Sequence, residues 1–253
     1  MRRLAINRAK QRSLTVYYWK LGQRVLRATQ QPVIDLAANM DPEELKRRAS
    51  SLMKGDHVQG YISDIWVKGG STFAIDMVKR IAKIPRKQET NPDFWEDYFR
   101  AYTRERTAAI TGEILDSQAV AVNEVIDDLI QEAMERGIGV PEVRRALQSD
   151  LIDALTEING YQAERIARTE MIGASNTGSF EGALESGIEM KKIWSTSGLP
   201  GIRDSHMYYE SLGAVEMDYE YAPGLQYPGD PAGAPEEIIN CRCTQLYEVD
   251  EVD

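Results

Sequence analysis

Cys241 and Cys243 stand one residue apart and are the only cysteines in the 253-residue chain. On an extended strand, residues two apart face the same way. Both sulfurs can then approach one metal ion, with His206 and an acid such as Asp230 completing a tetrahedral zinc shell. The competing reading is two small thiols buried on the core face of a strand, which needs no ligand. On that simpler reading no metal and no cofactor is assigned, and the zinc-stabilised interaction module stays open beside it. Arg242 would face the other way beside Asn240. It is the only base in residues 207–253, where eleven acids stand, so a specific carboxylate partner is expected for it.

Glu170 is the second residue that could do chemistry. At 100° per residue it points along the small, apolar face of a helix predicted over 160–184, with Ala163, Ile166, Ala167, Ala174 and Thr177. A carboxylate on that face is buried, and a buried charge needs a partner. Arg203, His206 and Arg242 are the cationic candidates. Arg203, His206 and Glu210 share a face if Arg203–Leu212 is helical. Gathered together, Glu170, Arg203 and His206 could serve a nucleotide-transfer or nuclease reaction of the toxin-like kind. A structural ion pair and a hydrogen-bonded core histidine are the bland alternatives. His57, after Gly55, reads as a surface or capping residue. No Gly-rich phosphate loop, HExxH or GxSxG motif is present, and no catalytic residue is assigned.

The elements that must position these residues change character along the chain. Leu4 to about Gln31 reads as a basic amphipathic helix. Asp41-Pro42-Glu43-Glu44 carries a helix-start signal, and that helix should stop near Gly55. A helix over Tyr61–Ile84 should break or kink at Gly69-Gly70 and end at Pro85. Asn91-Pro92 opens a long helix to about Arg136, stopped by Gly137 and Gly139. Pro141-Glu142 opens a short one to about Leu151. After Gly187 the pattern becomes strand-like at Met190–Thr196, rich in turns from Pro223 to Pro235, and strand-like again from Ile238 to Val249. The expected fold class is α+β: a long helical part over 1–155, then a small α+β domain with a short antiparallel sheet over 156–253.

Composition sets the outer bounds. Hydrophobic residues make up 42% and charged residues 28% of the chain, which argues against wholesale disorder. No stretch approaches the roughly 18–20 apolar residues of a membrane-spanning helix, and the N-terminus lacks the apolar core of a secretory signal. Two closely spaced cysteines fit a reducing compartment, so the protein is expected inside the cell that makes it. The net charge of -10 is unevenly spread. Residues 1–31 hold Arg2, Arg3, Arg8, Lys10, Arg12, Lys20, Arg24 and Arg27 and no acid. Such a basic N-terminal arm suggests an anionic partner, DNA or an acidic protein surface, unless the bases are a solvated helix face or pair with acids elsewhere.

These pieces in this order carry a family resemblance. The stretch from Ala163 to Glu170 reads AERIARTE, and ASNTG follows from Ala174 to Gly178. Trp194, Arg203-Asp-Ser-His206, Tyr227-Pro-Gly-Asp-Pro231 and Asn240-Cys-Arg-Cys243 complete the set. Together they resemble the phage Mu F-like minor head proteins of tailed bacteriophages, over about residues 122–248. Arg168, Glu170, Asn176, Trp194, Arg203, His206, Asp230, Asn240, Cys241, Arg242 and Cys243 are the motif positions the resemblance selects. Glu210-Ser-Leu-Gly213 stands where the family has an Asp-Gly pair. The resemblance implies a structural protein rather than an enzyme, placed in the virion head or at the portal vertex and assembled in the host cytoplasm. It acts in head morphogenesis and in DNA packaging or ejection. The implied partners are the portal protein, capsid or neck subunits and packaged double-stranded DNA, with several copies around the portal and no membrane contact.

Overall fold

The computed structural model describes residues 2–81, 91–137 and 140–249. The predicted helix end at Pro85 and the stop at Gly139 lie outside the described residues. By compactness the chain divides into two units that interleave in sequence. One comprises Met1–Tyr18, Ser63–Thr103 and Arg165–Asp253, and the other Trp19–Ile62 and Arg104–Glu164. Helix dominates and the strands form one small antiparallel sheet, so the class is α+β.

Among the described residues, the second unit holds helices and no strand. It holds parts of α1 (Arg8–Ala37), α3 (Asp56–Asp64), α5 (Pro92–Glu135) and α6 (Val140–Glu185), and all of α2 (Pro42–Leu52). Asp41 caps α2 as expected, its carboxylate accepting the Glu43 and Glu44 N–H groups at 3.1 and 3.4 Å. Val33, Ile34, Leu45, Val122, Ile126, Leu151 and Leu155 fill the core. A buried amide network crosses it. Gln30 Nε2 donates to Gln118 Oε1 at 2.5 Å and to Asn159 Oδ1 at 3.1 Å, and Asn159 Nδ2 donates back to Gln30 Oε1 at 2.7 Å. Buried amides cost little only when paired in this way.

Helix α6 corrects the expected pair of helices with a gap between Leu151 and Gly160. It runs unbroken through Gly160, although a mid-helix glycine costs about 0.5–1 kcal/mol. The Trp19 indole N–H donates to the Gly160 carbonyl at 3.0 Å and anchors that point.

The first unit carries the sheet, in the order β1 (Arg2–Ala5), β4 (Thr244–Val249), β2 (Met190–Ser195), β3 (Ala214–Glu216), all antiparallel. Strand β2 falls where expected. Strand β1 does not, since the expected helix starts at Leu4 and so takes in Leu4 and Ala5. Leu4 and Ile6 are buried while Ala5 is exposed, a period of two that suits a strand. Asn7 then caps α1, its Oδ1 accepting the Lys10 N–H at 3.0 Å.

The chain also differs from expectation before β4. Pro235–Ile238 form one helical turn, α8, and the strand starts only at Thr244. The break is Asn240, at φ +60°, a left-handed conformation that Asn tolerates better than most residues.

Packing in this unit depends on close helix approach. Gly69-Gly70 does not break its helix but closes a π-helical stretch, Ile65–Gly70, that leads into α4 (Ser71–Ile81). A Cβ on Gly178 would overlap the Gly70 carbonyl, and one on Gly70 would overlap the Phe99 ring. Bare backbone lets α6 lie directly on this stretch.

Candidate functional site

Helix α7 (Asp204–Ser211) and the segment before β4 bring His206, Cys241 and Cys243 together. All three are buried, at 1%, 1% and 3% exposure. His206 Nδ1 lies 3.4 Å from Cys243 Sγ and 3.8 Å from Cys241 Sγ. The other ring nitrogen, Nε2, lies 2.9 Å from Glu237 Oε2 on α8. A carboxylate can only accept, so Nε2 carries the proton and Nδ1 turns its lone pair toward the sulfurs. The Trp194 ring, fully buried on β2, lies 4.8 Å from the imidazole, with Tyr209 and Tyr221 behind it. The Cys243 thiol is pulled below its ordinary range, first by its hydrogen bond with Cys241. Hydrogen bonding to Cys243 and burial push Cys241 well above.

Sequence features fix this geometry locally. Asn240 turns the chain so that Cys241 and Cys243 both point inward while Arg242 is exposed. The turn is held from α6: the Asn240 N–H donates to Thr169 Oγ1 at 2.9 Å, and Arg168 donates to Asn240 Oδ1. Asn176, also on α6 and fully buried, donates through Nδ2 to the Pro228 carbonyl at 2.8 Å and the Cys243 carbonyl at 3.3 Å. Its Oδ1 accepts the Gln245 N–H at 3.1 Å. The Tyr227-Pro-Gly-Asp-Pro231 turn docks on the same helix, with Gly229 at φ +74° against Gly173. Asp230 does not join the thiols. Its carboxylate accepts the Gln226 and Ala232 N–H groups at 2.9 and 3.0 Å and pins that turn.

The proposed catalytic group is dispersed among separate partners. Glu170 is buried as predicted, but its Oε2 accepts the Trp66 indole N–H at 2.7 Å. Arg203 precedes α7 and donates to the Ile239 carbonyl at 2.5 Å. Glu210 accepts from the Thr196 backbone and hydroxyl at 2.9 and 2.7 Å. Arg242, expected to have a carboxylate partner, forms no salt bridge among the described residues. It lines a cleft of about 60 Å³ with Arg203, His206, Asn240 and Cys243. His57 is exposed, as a surface residue should be.

The eight N-terminal bases do not form one feature. Arg2 and Arg3 lie in β1, in register with Val249 and Glu248. Arg8 donates to Thr244 Oγ1, Ser195 Oγ and the Thr196 carbonyl at 2.9 to 3.1 Å, tying β2 to β4. Lys10, Arg12, Lys20, Arg24 and Arg27 are exposed on α1.

Two residues of weight were not legible. Lys192 reads as half of a surface Lys-Lys pair, yet it is fully buried, donates to the Met217 carbonyl at 2.7 Å, and lies over the Phe180 and Tyr221 rings. Burial lowers its pKa to about 8. Glu237 reads as one acid among many. Its Glu-Glu run after Pro235 signals a helix start but not a histidine partner.

These features define a class: a helix-backed, four-stranded α+β module centred on a buried Cys–Cys–His cluster. Residues 124–246 match the family described as Phage Mu protein F like protein. Over that region the chain is similar to the phage Mu F-like proteins, a family of phage head morphogenesis proteins. All eleven motif positions fall within the match. No curated protein and no solved structure matches the chain. Among the described residues, no helix is long and apolar enough to cross a membrane.

Proposed function

We propose that this protein is a minor head component of a tailed phage, held at the portal vertex in a few copies and contacting portal, capsid or neck subunits and packaged DNA. It is made and assembled in the host cytoplasm and acts as a structural part rather than as an enzyme. The family match carries the reading toward head assembly. Motif residues committed to structural contacts, such as Arg168, Asn176 and Arg203, support a module built to be rigid.

For the anionic partner, the supporting observation is a stripe on α1. Lys20, Arg24 and Arg27 recur at helical spacings of four and three and are exposed. Such a face suits a phosphate backbone or an acidic protein groove. The test is a full-length Lys20→Glu/Arg24→Glu/Arg27→Glu variant, supplied to phage lacking the wild-type protein. Virions should lose the protein or package and eject DNA poorly. If incorporation, packaging and ejection all match wild type, the stripe has no such role.

A further inference from the structure

The Cys241, Cys243 and His206 side chains form a metal-shaped set on geometry alone. With Zn–S near 2.3 Å and Zn–N near 2.0–2.1 Å, a tetrahedral zinc ion places a sulfur and a nitrogen ligand about 3.6 Å apart and two sulfurs about 3.8 Å apart. Here the two sulfur–nitrogen separations are 3.4 and 3.8 Å, and all three donor atoms lie within 4.8 Å of one another. The two sulfur–nitrogen separations bracket the ideal value.

Three further observations point the same way. Both cysteines are free, so no disulfide uses up the sulfurs. The Glu237 carboxylate on Nε2 is the arrangement that orients metal-bound histidines, because it fixes which nitrogen keeps its lone pair. The three donors come from two separate segments, α7 and the approach to β4, which a bound ion would join.

We propose that Cys241, Cys243 and His206 bind one zinc ion through Sγ, Sγ and Nδ1. The fourth position faces the cleft lined by Arg203 and Arg242 and is filled by water. Two thiolates and an imidazole select zinc over magnesium or calcium, which take oxygen ligands. Asp230, the acid first considered for the fourth position, is committed to its own turn. The ion locks the histidine, the strand approach and α8 into one unit.

The full-length protein, purified without chelator from zinc-supplemented medium, is analysed for metal by mass spectrometry. About one zinc per chain is expected. Refilling the stripped protein with cobalt(II) should give the thiolate charge-transfer band and the strong visible bands of a tetrahedral site. Cys241→Ser/Cys243→Ser should abolish both signals. Because that variant could fail to fold, Glu237→Gln supplies the second arm. It keeps all three ligands and should keep the far-ultraviolet circular dichroism of wild type while weakening zinc binding about 10- to 100-fold.

Three results would overturn the site: metal-free protein that gives no cobalt bands, a Cys241–Cys243 disulfide detected as no free thiols after denaturation, or full zinc retention in the double serine variant. Unchanged zinc affinity in Glu237→Gln would overturn the orienting role. Metal content is independent of virion incorporation, so failure here leaves the head-assembly reading standing, and the reverse also holds.

Discussion

Asn176 offers the sharpest test of how the module is held together. Its amide reaches three backbone groups from two segments: the Pro228 carbonyl at 2.8 Å, the Cys243 carbonyl at 3.3 Å and the Gln245 N–H at 3.1 Å. Replacement by Ala leaves these groups without their partner inside the protein. An unsatisfied buried donor or acceptor costs about 1–3 kcal/mol. The two shorter bonds therefore set an expected loss of about 2–6 kcal/mol, the longer contact adding less. Against a whole-domain stability of about 5–15 kcal/mol, that is a large fraction.

The assay is urea unfolding followed by tryptophan fluorescence, since Trp66 and Trp194 are both buried in the same unit. With a slope of about 1–3 kcal/mol per molar urea, the midpoint should fall by at least about 0.7 M. Asn176→Asp sharpens the reading. It keeps an acceptor for Gln245 but turns a second oxygen toward the Pro228 carbonyl, so it should be no better than Ala. A loss below about 0.5 kcal/mol for Asn176→Ala, the range of ordinary surface changes, would refute the claim that this residue clamps the turn to the strand.

Gly178→Ala should destabilise by about 3 kcal/mol, because its Cβ meets backbone rather than a side chain that can move. Gly112→Ala meets open space in α5 and should be neutral or stabilising by about 0.5–1 kcal/mol, so equal melting temperatures for the two variants would contradict the packing described. Lys192 has a folded pKa lowered by burial to about 8, against an ordinary value of 10.5. From about pH 8 to 10.5 the unfolded chain therefore holds more protons, and this group makes stability rise with pH. In a denaturation series across that window, Lys192→Met should lose the rise relative to wild type, and parallel curves would show that the amine is hydrated.

What could be read from the sequence was local. Strand β2 follows from Ile193 and Trp194 in the short stretch Met190–Thr196 after Gly187, the α2 cap follows from Asp41-Pro42, and the burial of Glu170 follows from the helical face it shares with alanines. The inward pointing of both thiols was also legible, though for a different reason. Cys241 and Cys243 turn inward before the strand begins, steered by the left-handed Asn240 and its bonds to Thr169 and Arg168. What escaped was non-local. Strand β1 is four residues long and its partner β4 lies at the other end of the sequence, so no window along the chain could show the pairing. Helix α6 passes Gly160 because of an indole from α1. The proton position on His206 depends on Glu237, 31 residues away.

The same non-locality decides how the basic N-terminus can be tested. As a string of eight bases and no acid, residues 1–31 look like a detachable arm, and deletion is the natural experiment. In the fold, deletion would remove β1 from the edge of β4. It would also remove the Arg8 guanidinium that bonds Thr244, Ser195 and Thr196, and α1 residues that complete both units. A phage made with the truncated chain would fail through lost structure whether or not the bases touch DNA. Charge reversal at Lys20, Arg24 and Arg27 changes only exposed positions. If those bases meet phosphates, the affinity of the wild-type protein for DNA should fall steeply with salt, and the reversed variant should lose both the affinity and the slope. An unchanged slope would place the DNA contact elsewhere.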